Sequence, residues 1–429
     1  MEEGKRMGFG TMAVHGGGTL DPVTRASVTP IYQTASFVFR DCSHAARLFS
    51  AEEQGDIYTR ISNPTCAAFE SHVALLEGGK GAVATASGQA AVAYSVLALA
   101  GQGDHVVATS NLYGGTYALF TGTLRRLGIG VTFVPPNDFG ALDKALTPRT
   151  KAIYGETMGN PALDVLDIEG TARIAHDHGV PLVVDNTFAT PYLCRPLEHG
   201  ADIVLHSATK YIAGNGTSIG GVIVDSGRFD WANGRFDRFT EPTLPGARSY
   251  VEVHGDLAFA AMVRGQMVRD MGACLAPFNA FLFILGLQDL HVRMERHCWN
   301  AMTVARHLRS HPAVKWVRYP GLETDPSHRL ACKYLRGGYG AMVSFGVMGG
   351  LEAGKRFADS VRLILLLANL GDARSLVVHP ASTTHQQLTP EQREAAGVPD
   401  DLIRLSVGLE DVQDIIEDID RALASAVGT

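Results

Sequence analysis

Residues 82–135 read AVATASGQAAVAYSVLALAGQGDHVVATSNLYGGTYALFTGTLRRLGIGVTFVP, and the hydrophobic pattern changes period along them. AVATAS predicts a strand, Gln89 to Ala100 a helix, HVVATS a strand, YALFTGTLRRLG a helix and VTFVP a strand. Towards the C-terminus, KAIYGET, PLVVDNT, ADIVLHS and GGVIVD read as further strands, with the helix IEGTARIAHDHG between two of them. Alternation of this kind requires βαβ crossovers, hence an α/β fold with a mainly parallel sheet and helices on both faces. Ligands then belong at the carboxyl ends of the strands.

On either side the texture differs. The first sixty or so residues are rich in Gly, Pro, Ser and Thr, with VTPIYQTASFVF (28–39) the only strand-like run, and they end in IYTRISNPT. Cys66 to Leu76 reads as a short helix. Beyond Gly272 come a long helical stretch over 277–311, a turn (YPGLETDPSH), strand-like AMVSFGVM, the helix LEAGKRFADSVRLI and short strands around SLVVHP and LIRLSVG. We therefore expect an extended arm over 1–65, a large cofactor-binding α/β domain over 66–271 and a smaller α+β domain with an antiparallel sheet over 272–429.

Composition excludes several partners. Of the 429 residues 46% are hydrophobic and 47 are glycine, which describes a compact, turn-rich chain. The net charge is −7, from 37 basic and 44 acidic residues, and no basic block speaks for nucleic acid or an anionic membrane. The N-terminal segment has no apolar signal-like region, and the longest apolar runs fall short of the roughly 20 residues that span a bilayer. A cytoplasmic location follows as an expectation. Six cysteines are scattered without a CxxC pair, so reduced thiols are expected. His176 and His178, two apart on a helix, point to different sides, and no metal site is expected.

Four features at predicted strand ends carry chemistry. Lys210 follows the apolar run Ile203-Val204-Leu205, where desolvation lowers an amine's pKa and makes it a Schiff-base nucleophile. Ser87 and Gly88 lead from a strand directly into a helix, whose free N–H groups suit a phosphate. Asp185 ends PLVVDNT, a position that demands a cationic partner such as a protonated pyridine nitrogen. Tyr113 sits beside two glycines and can lie flat on a planar ligand. Each has an ordinary alternative, respectively a strand-following lysine, a plain turn, a loop cap and half-buried packing. All four falling in chain order at the ends of one sheet favours a shared site. No P-loop is present, and the glycines at 214, 216, 220 and 221 precede a strand instead of following one, which argues against nucleotides.

The segments YTRISNPT, SGQAA, LYGGTY, GETMGNP, VVDNTFATPYLCRP, HSATKYIAGNGTSIGG, GDARSLVVHPASTTH and LIRLSVGLED run from residue 58 to residue 411. In combination they resemble the Cys/Met-metabolism pyridoxal-phosphate enzymes of the aspartate-aminotransferase fold. The resemblance implies pyridoxal 5'-phosphate as cofactor, held covalently by Lys210, which would also shuttle protons. It implies Ser87, Gly88, Gln89, Ser207 and Thr209 for the phosphate, Tyr113 stacked on the ring, and Asp185, with Thr187 beside it, for the ring nitrogen. Tyr58 and Arg60 would reach the phosphate of a neighbouring subunit in a homo-oligomer, with a homotetramer expected. Arg404, with Asn160 and Ser375, would position the substrate carboxylate as a planar fork does.

The flavours GETMGNP, DNTFATPYLCRP, TKYIAGNGTSIGG and GDARSLVVHPASTTH are most similar to the branch acting on O-acetyl-L-homoserine. That branch implies γ-substitution by sulfide or methanethiol, giving homocysteine or methionine and acetate. The alternatives sharing the site are cystathionine γ-synthase, cystathionine γ-lyase and an O-succinylhomoserine sulfhydrylase. From other classes come a non-catalytic pyridoxal-phosphate sensor and a nucleotide-dependent oxidoreductase. Two departures stand out: Asn215 where this branch often has His, and Gly115 where methionine γ-lyases typically have cysteine.

Overall fold

The computed structural model describes residues 7–428 apart from 18–20, 22, 51, 244–246, 385, 387–388, 390–392 and 394–396, so the first six residues of the expected arm lie outside the described residues. Seven strands form the larger sheet: β1 (Gly81–Thr85), β2 (His105–Thr109), β3 (Gly130–Val134), β4 (Thr150–Glu156), β5 (Leu182–Asp185), β6 (Ile203–Ser207) and β7 (Gly221–Asp225). Their order is β1-β7-β6-β5-β4-β2-β3. Only β7 runs against its neighbours, pairing antiparallel with β1 and β6, while all other pairs are parallel. Thr109, Glu156, Asp185 and Ser207, the last residues of their strands, therefore share one edge.

The middle strands read as apolar runs because both faces are covered. Val222 and Val224 join the layer under the Pro64–Glu77 helix, whereas Ile223 joins the layer under the Gly88–Leu99 helix, the alternation a strand imposes. The Pro64–Glu77 helix starts on the Asn63 side chain, which accepts the Thr65 N–H, carries Pro64 in its first turn, and ends at Gly78 with φ 75°. On the other face, Ser87 caps the Gly88–Leu99 helix by accepting the Ala90 N–H at 3.1 Å, a bond of about 1 kcal/mol.

The second sheet comprises β8 (Val314–Arg318), β9 (Met342–Val347), β10 (Leu365–Leu366), β11 (Leu376–Val378) and β12 (Leu402–Ser406), ordered β10-β11-β12-β9-β8. It is antiparallel except that β10 and β11 pair parallel, a departure from expectation. The stretch 277–311 is two helices, Pro277–Gln288 and Leu290–Ser310, separated at Asp289. VTPIYQTASFVF is not a strand: beyond one isolated bridge from Ser36 to Tyr58 it is held by side-chain bonds, such as the Thr65 hydroxyl donating to the Pro30 carbonyl and accepting the Tyr32 N–H, and Pro30 and the lack of a neighbouring strand explain why. All six cysteines are free. His176 and His178 go to separate carboxylates, Asp202 and Asp143. Among the described residues no group of three or more His, Cys, Asp or Glu could hold a metal, and no helix is long and apolar enough to cross a membrane.

Candidate active site

A cavity of about 260 Å³ opens at the shared strand edge. Lys210 lines it just past β6, its backbone N–H bonded to the Ser207 carbonyl at 3.2 Å. Burial, and then the nearby Arg404 charge, bring its amine down to about 8. The amine donates to Asn369 Oδ1 at 2.5 Å. That residue lies between β10 and β11 and was not singled out in the sequence.

Arg404 enters from β12 of the second sheet. Its Nη1 donates to Asn160 Oδ1 at 3.1 Å and its Nη2 to the Asn369 carbonyl at 3.3 Å. Burial lowers its pKa to about 10, which leaves it a cation at neutral pH. Asn369 thus touches the cavity amine through its side chain and the guanidinium through its backbone.

Asp185 accepts the Thr187 N–H at 2.9 Å and the Thr187 hydroxyl at 2.5 Å, both on Oδ1. Neither Thr187 bond engages Oδ2. Burial raises the Asp185 carboxyl while the Thr187 bonds lower it. Next to it by strand register stands Glu156, whose pKa is raised well above the carboxylate range by burial and then by the Asp185 charge. Two buried carboxyls this close cannot both ionise cheaply, and Glu156 is the one that keeps its proton. Glu156 Oε1 accepts the Tyr113 N–H at 2.7 Å and so fixes the loop that carries the half-exposed Tyr113 ring.

Ser87, Gly88 and Gln89 bring the helix start to the cavity, and Ser207 lies against it. A Cβ on Gly88 would sit 2.5 Å from the Ser207 Cβ, so only glycine lets these two strand ends approach. Gln89 Nε2 donates to the Gly115 carbonyl at 3.0 Å. A Cβ on Gly115 would sit 2.5 Å from Cε1 of the Tyr113 ring. The Thr209 hydroxyl lines the cavity while bridging the Gly220 N–H and carbonyl, at 3.1 and 3.2 Å.

Three expected residues do not meet the others in this chain. Ser375 is buried away from the cavity, its hydroxyl donating to Glu410 at 2.9 Å and accepting the Gly408 N–H at 2.8 Å. Arg60 donates to the Arg269 carbonyl and stacks 5.5 Å from the ring of Tyr58, which is 42% exposed. Neither Tyr58 nor Arg60 lines the cavity. Asn215 is exposed and bonded to Thr217.

The cradle fits pyridoxal phosphate: a helix start at Gly88 for the phosphate, the Asp185 carboxylate for a ring N–H, and an amine near 8 for the aldehyde. The α/β sheet and this cavity define a pyridoxal-phosphate-dependent enzyme. A family model described as Cys/Met metabolism PLP-dependent enzyme matches residues 10–424, and the chain belongs to that family. It is 50% identical over 424 residues to the O-acetyl-L-homoserine sulfhydrylase of Leptospira meyeri, covering 96% of each chain. It is 51% identical over 423 residues to the homocysteine synthase of Schizosaccharomyces pombe, covering 97% of this chain and 98% of the other. A crystal structure from Campylobacter jejuni, described as an O-acetylhomoserine (thiol)-lyase with a pyridoxyl-lysine phosphate, superposes with a TM-score of 0.95 at 38% identity, covering 98% of this chain and 100% of that one.

Proposed function

We propose that the chain transfers sulfide onto O-acetyl-L-homoserine, giving L-homocysteine and acetate. The observation that carries the reading is the meeting of Lys210 and Arg404 on Asn369, which sets a cavity amine beside a carboxylate-sized cationic fork. The names of the relatives support the choice of substrate.

The bound cofactor supplies an electron sink for the Cα–H electrons. The helix start at Ser87, Gly88 and Gln89, with Ser207 and Thr209, holds its phosphate. Asp185, braced by Thr187, would receive the ring N–H, and Tyr113 would lie against the ring. Arg404, steadied by Asn160, takes the substrate α-carboxylate as a bidentate fork and turns Cα towards Lys210. Ser375 enters this reading only as a brace, through Glu410, for the segment carrying Asn369. The Lys210 amine removes the Cα proton and then serves Cβ. The Cγ–O bond breaks with its electron pair on acetate, sulfide forms the Cγ–S bond, and the protons taken from Cα and Cβ return to carbon.

Sulfide needs no recognition of its own, whereas cysteine brings a carboxylate and an ammonium whose desolvation calls for further polar partners. Tyr58 and Arg60 complete the phosphate site of a neighbouring copy in a homo-oligomer. The testing experiment compares O-acetyl- and O-succinyl-homoserine against sulfide, methanethiol and cysteine. We expect the highest kcat/KM for O-acetylhomoserine with sulfide. A kcat/KM for cysteine equal to or above that for sulfide moves the chain to cystathionine γ-synthase chemistry.

A further inference from the structure

Beneath the cavity lies a buried polar cluster to which the proposed reaction assigns no part. Strand alternation turns Ser207 to the cavity face and His206 to the other, where His206 Nε2 meets Glu77 Oε1 at 2.6 Å. The same oxygen accepts Asn186 Nδ2 at 2.8 Å. Asn186 in turn donates to the Cys194 carbonyl at 2.8 Å and accepts the Thr157 hydroxyl at 2.8 Å. Glu77, Asn186 and Thr157 are fully buried and His206 is 1% exposed.

Stability alone gives little reason for this arrangement. Glu77 is the last residue of the Pro64–Glu77 helix, where the negative end of the helix dipole opposes a carboxylate. Glu77 Oε2 and His206 Nδ1 have no hydrogen-bond partner among the described residues. A buried ionic pair left this incomplete is no more stabilising than apolar side chains of equal volume. Its placement is distinctive, however. Thr157, Asn186 and His206 are the chain neighbours of Glu156, Asp185 and Ser207, which line the cavity on three adjacent strands. Glu77 Oε1 thus joins the Asn186 side chain, next in the chain to Asp185, to His206, next in the chain to Ser207.

We infer that Glu77 and His206 are a positioning pair for Asp185, Glu77 tying Asn186 and His206 together beneath the strand ends so that the neighbouring Asp185 is held towards the cofactor's ring nitrogen. The inference rests on the reading of Asp185 given under the proposed function. Neither residue touches the cofactor, and both act through Asp185.

The test titrates apoprotein with pyridoxal phosphate and with the analogue in which CH replaces the ring nitrogen. Glu77→Gln keeps shape but weakens the acceptor that Asn186 and His206 share, so affinity for pyridoxal phosphate should fall about tenfold while affinity for the analogue stays unchanged. Asp185→Asn should abolish the preference for pyridoxal phosphate over the analogue. A preference untouched by Asp185→Asn overturns the Asp185 reading and this inference with it. If Asp185→Asn abolishes the preference but Glu77→Gln weakens both ligands equally, or neither, the pair serves only the fold and the inference alone falls. His206→Asn, which keeps a donor for Glu77 without the ring, repeats the comparison should Glu77→Gln not fold. Loss of folding in both apoprotein variants, read by circular dichroism, also overturns the inference.

Discussion

The strand ends around Lys210 and the chain before Pro64 are built on opposite plans. At the strand ends nearly every polar group finds its partner inside the chain: Lys210 on Asn369, Arg404 on Asn160 and Asn369, Asp185 on Thr187, Glu156 on Tyr113. The earlier segment leaves large apolar side chains in solvent, with Val23 at 86%, Val38 at 97% and Phe49 at 68% exposure. A surface so apolar marks an interaction site. The contrast teaches that the cavity's polar side chains are largely satisfied within one chain, whereas the arm turns large apolar side chains outwards, where the proposed homo-oligomer would cover them.

The severest way to break that contrast is Lys210→Ala. Nucleophile and base are lost together, so turnover should drop by more than about 10³-fold while the phosphate cradle still captures cofactor. Steady-state assays with the purified variant check the loss, and retained turnover ends the reading of Lys210.

The amine's surroundings give a pH signature. A free-base amine attacks an aldehyde and its protonated form does not, so the rate of cofactor capture by apoprotein should rise with pH through a midpoint near 8, the value burial and then the Arg404 charge impose on Lys210, and level off above it. Stopped-flow absorbance would read it. A midpoint near the ordinary lysine value of about 10.4 means the cavity does not desolvate the amine.

The arm side of the comparison is tested by Arg60→Ala. Loss of a charge-assisted phosphate bond should weaken cofactor binding by about 1.5 to 3 kcal/mol. Refolding this variant with Lys210→Ala should restore activity, to about a quarter of wild type if random pairing gives one intact site in half of the dimers. Inactive mixtures with demonstrated heterodimers show that each site belongs to one chain.

A smaller effect is expected at the junction. Asn369→Ala removes the acceptor for the Lys210 amine but leaves the backbone carbonyl that Arg404 uses, so kcat should fall about tenfold, the scale of one hydrogen bond to a charged group, with little change in KM. A change confined to KM would place Asn369 in substrate binding. The smallest is Val38→Ser, an exposed site that should alter the thermal stability of an isolated subunit by less than about 0.5 kcal/mol. Its effect on self-association measures how much of the arm a second copy covers.

Legibility in the sequence followed the same divide. The parallel strands could be read because β5 and β6 are unbroken apolar runs buried on both faces, and Asp185 and Lys210 were visible as the polar residues that end or follow them. Asn369 was not, because it reaches Lys210 across 159 residues of chain and its segment carries no periodic signal. Glu156 sat inside a quoted motif, yet only the register of β4 against β5 reveals a second carboxyl beside Asp185. Ser375 was named from the resemblance, and sequence alone does not say which way a hydroxyl turns: here Glu410 takes it. In the arm, VTPIYQTASFVF has strand-like composition without a strand to pair with, and composition cannot supply a partner.

Gly115 bears on how this chain could change its chemistry by mutation. Any side chain there meets the Tyr113 ring at 2.5 Å and Gln89 Oε1 at 3.1 Å. The ring must swing before even a methyl group is accepted. Under the proposed function, acquiring a thiol at that place therefore requires the loop around Tyr113 to shift with it.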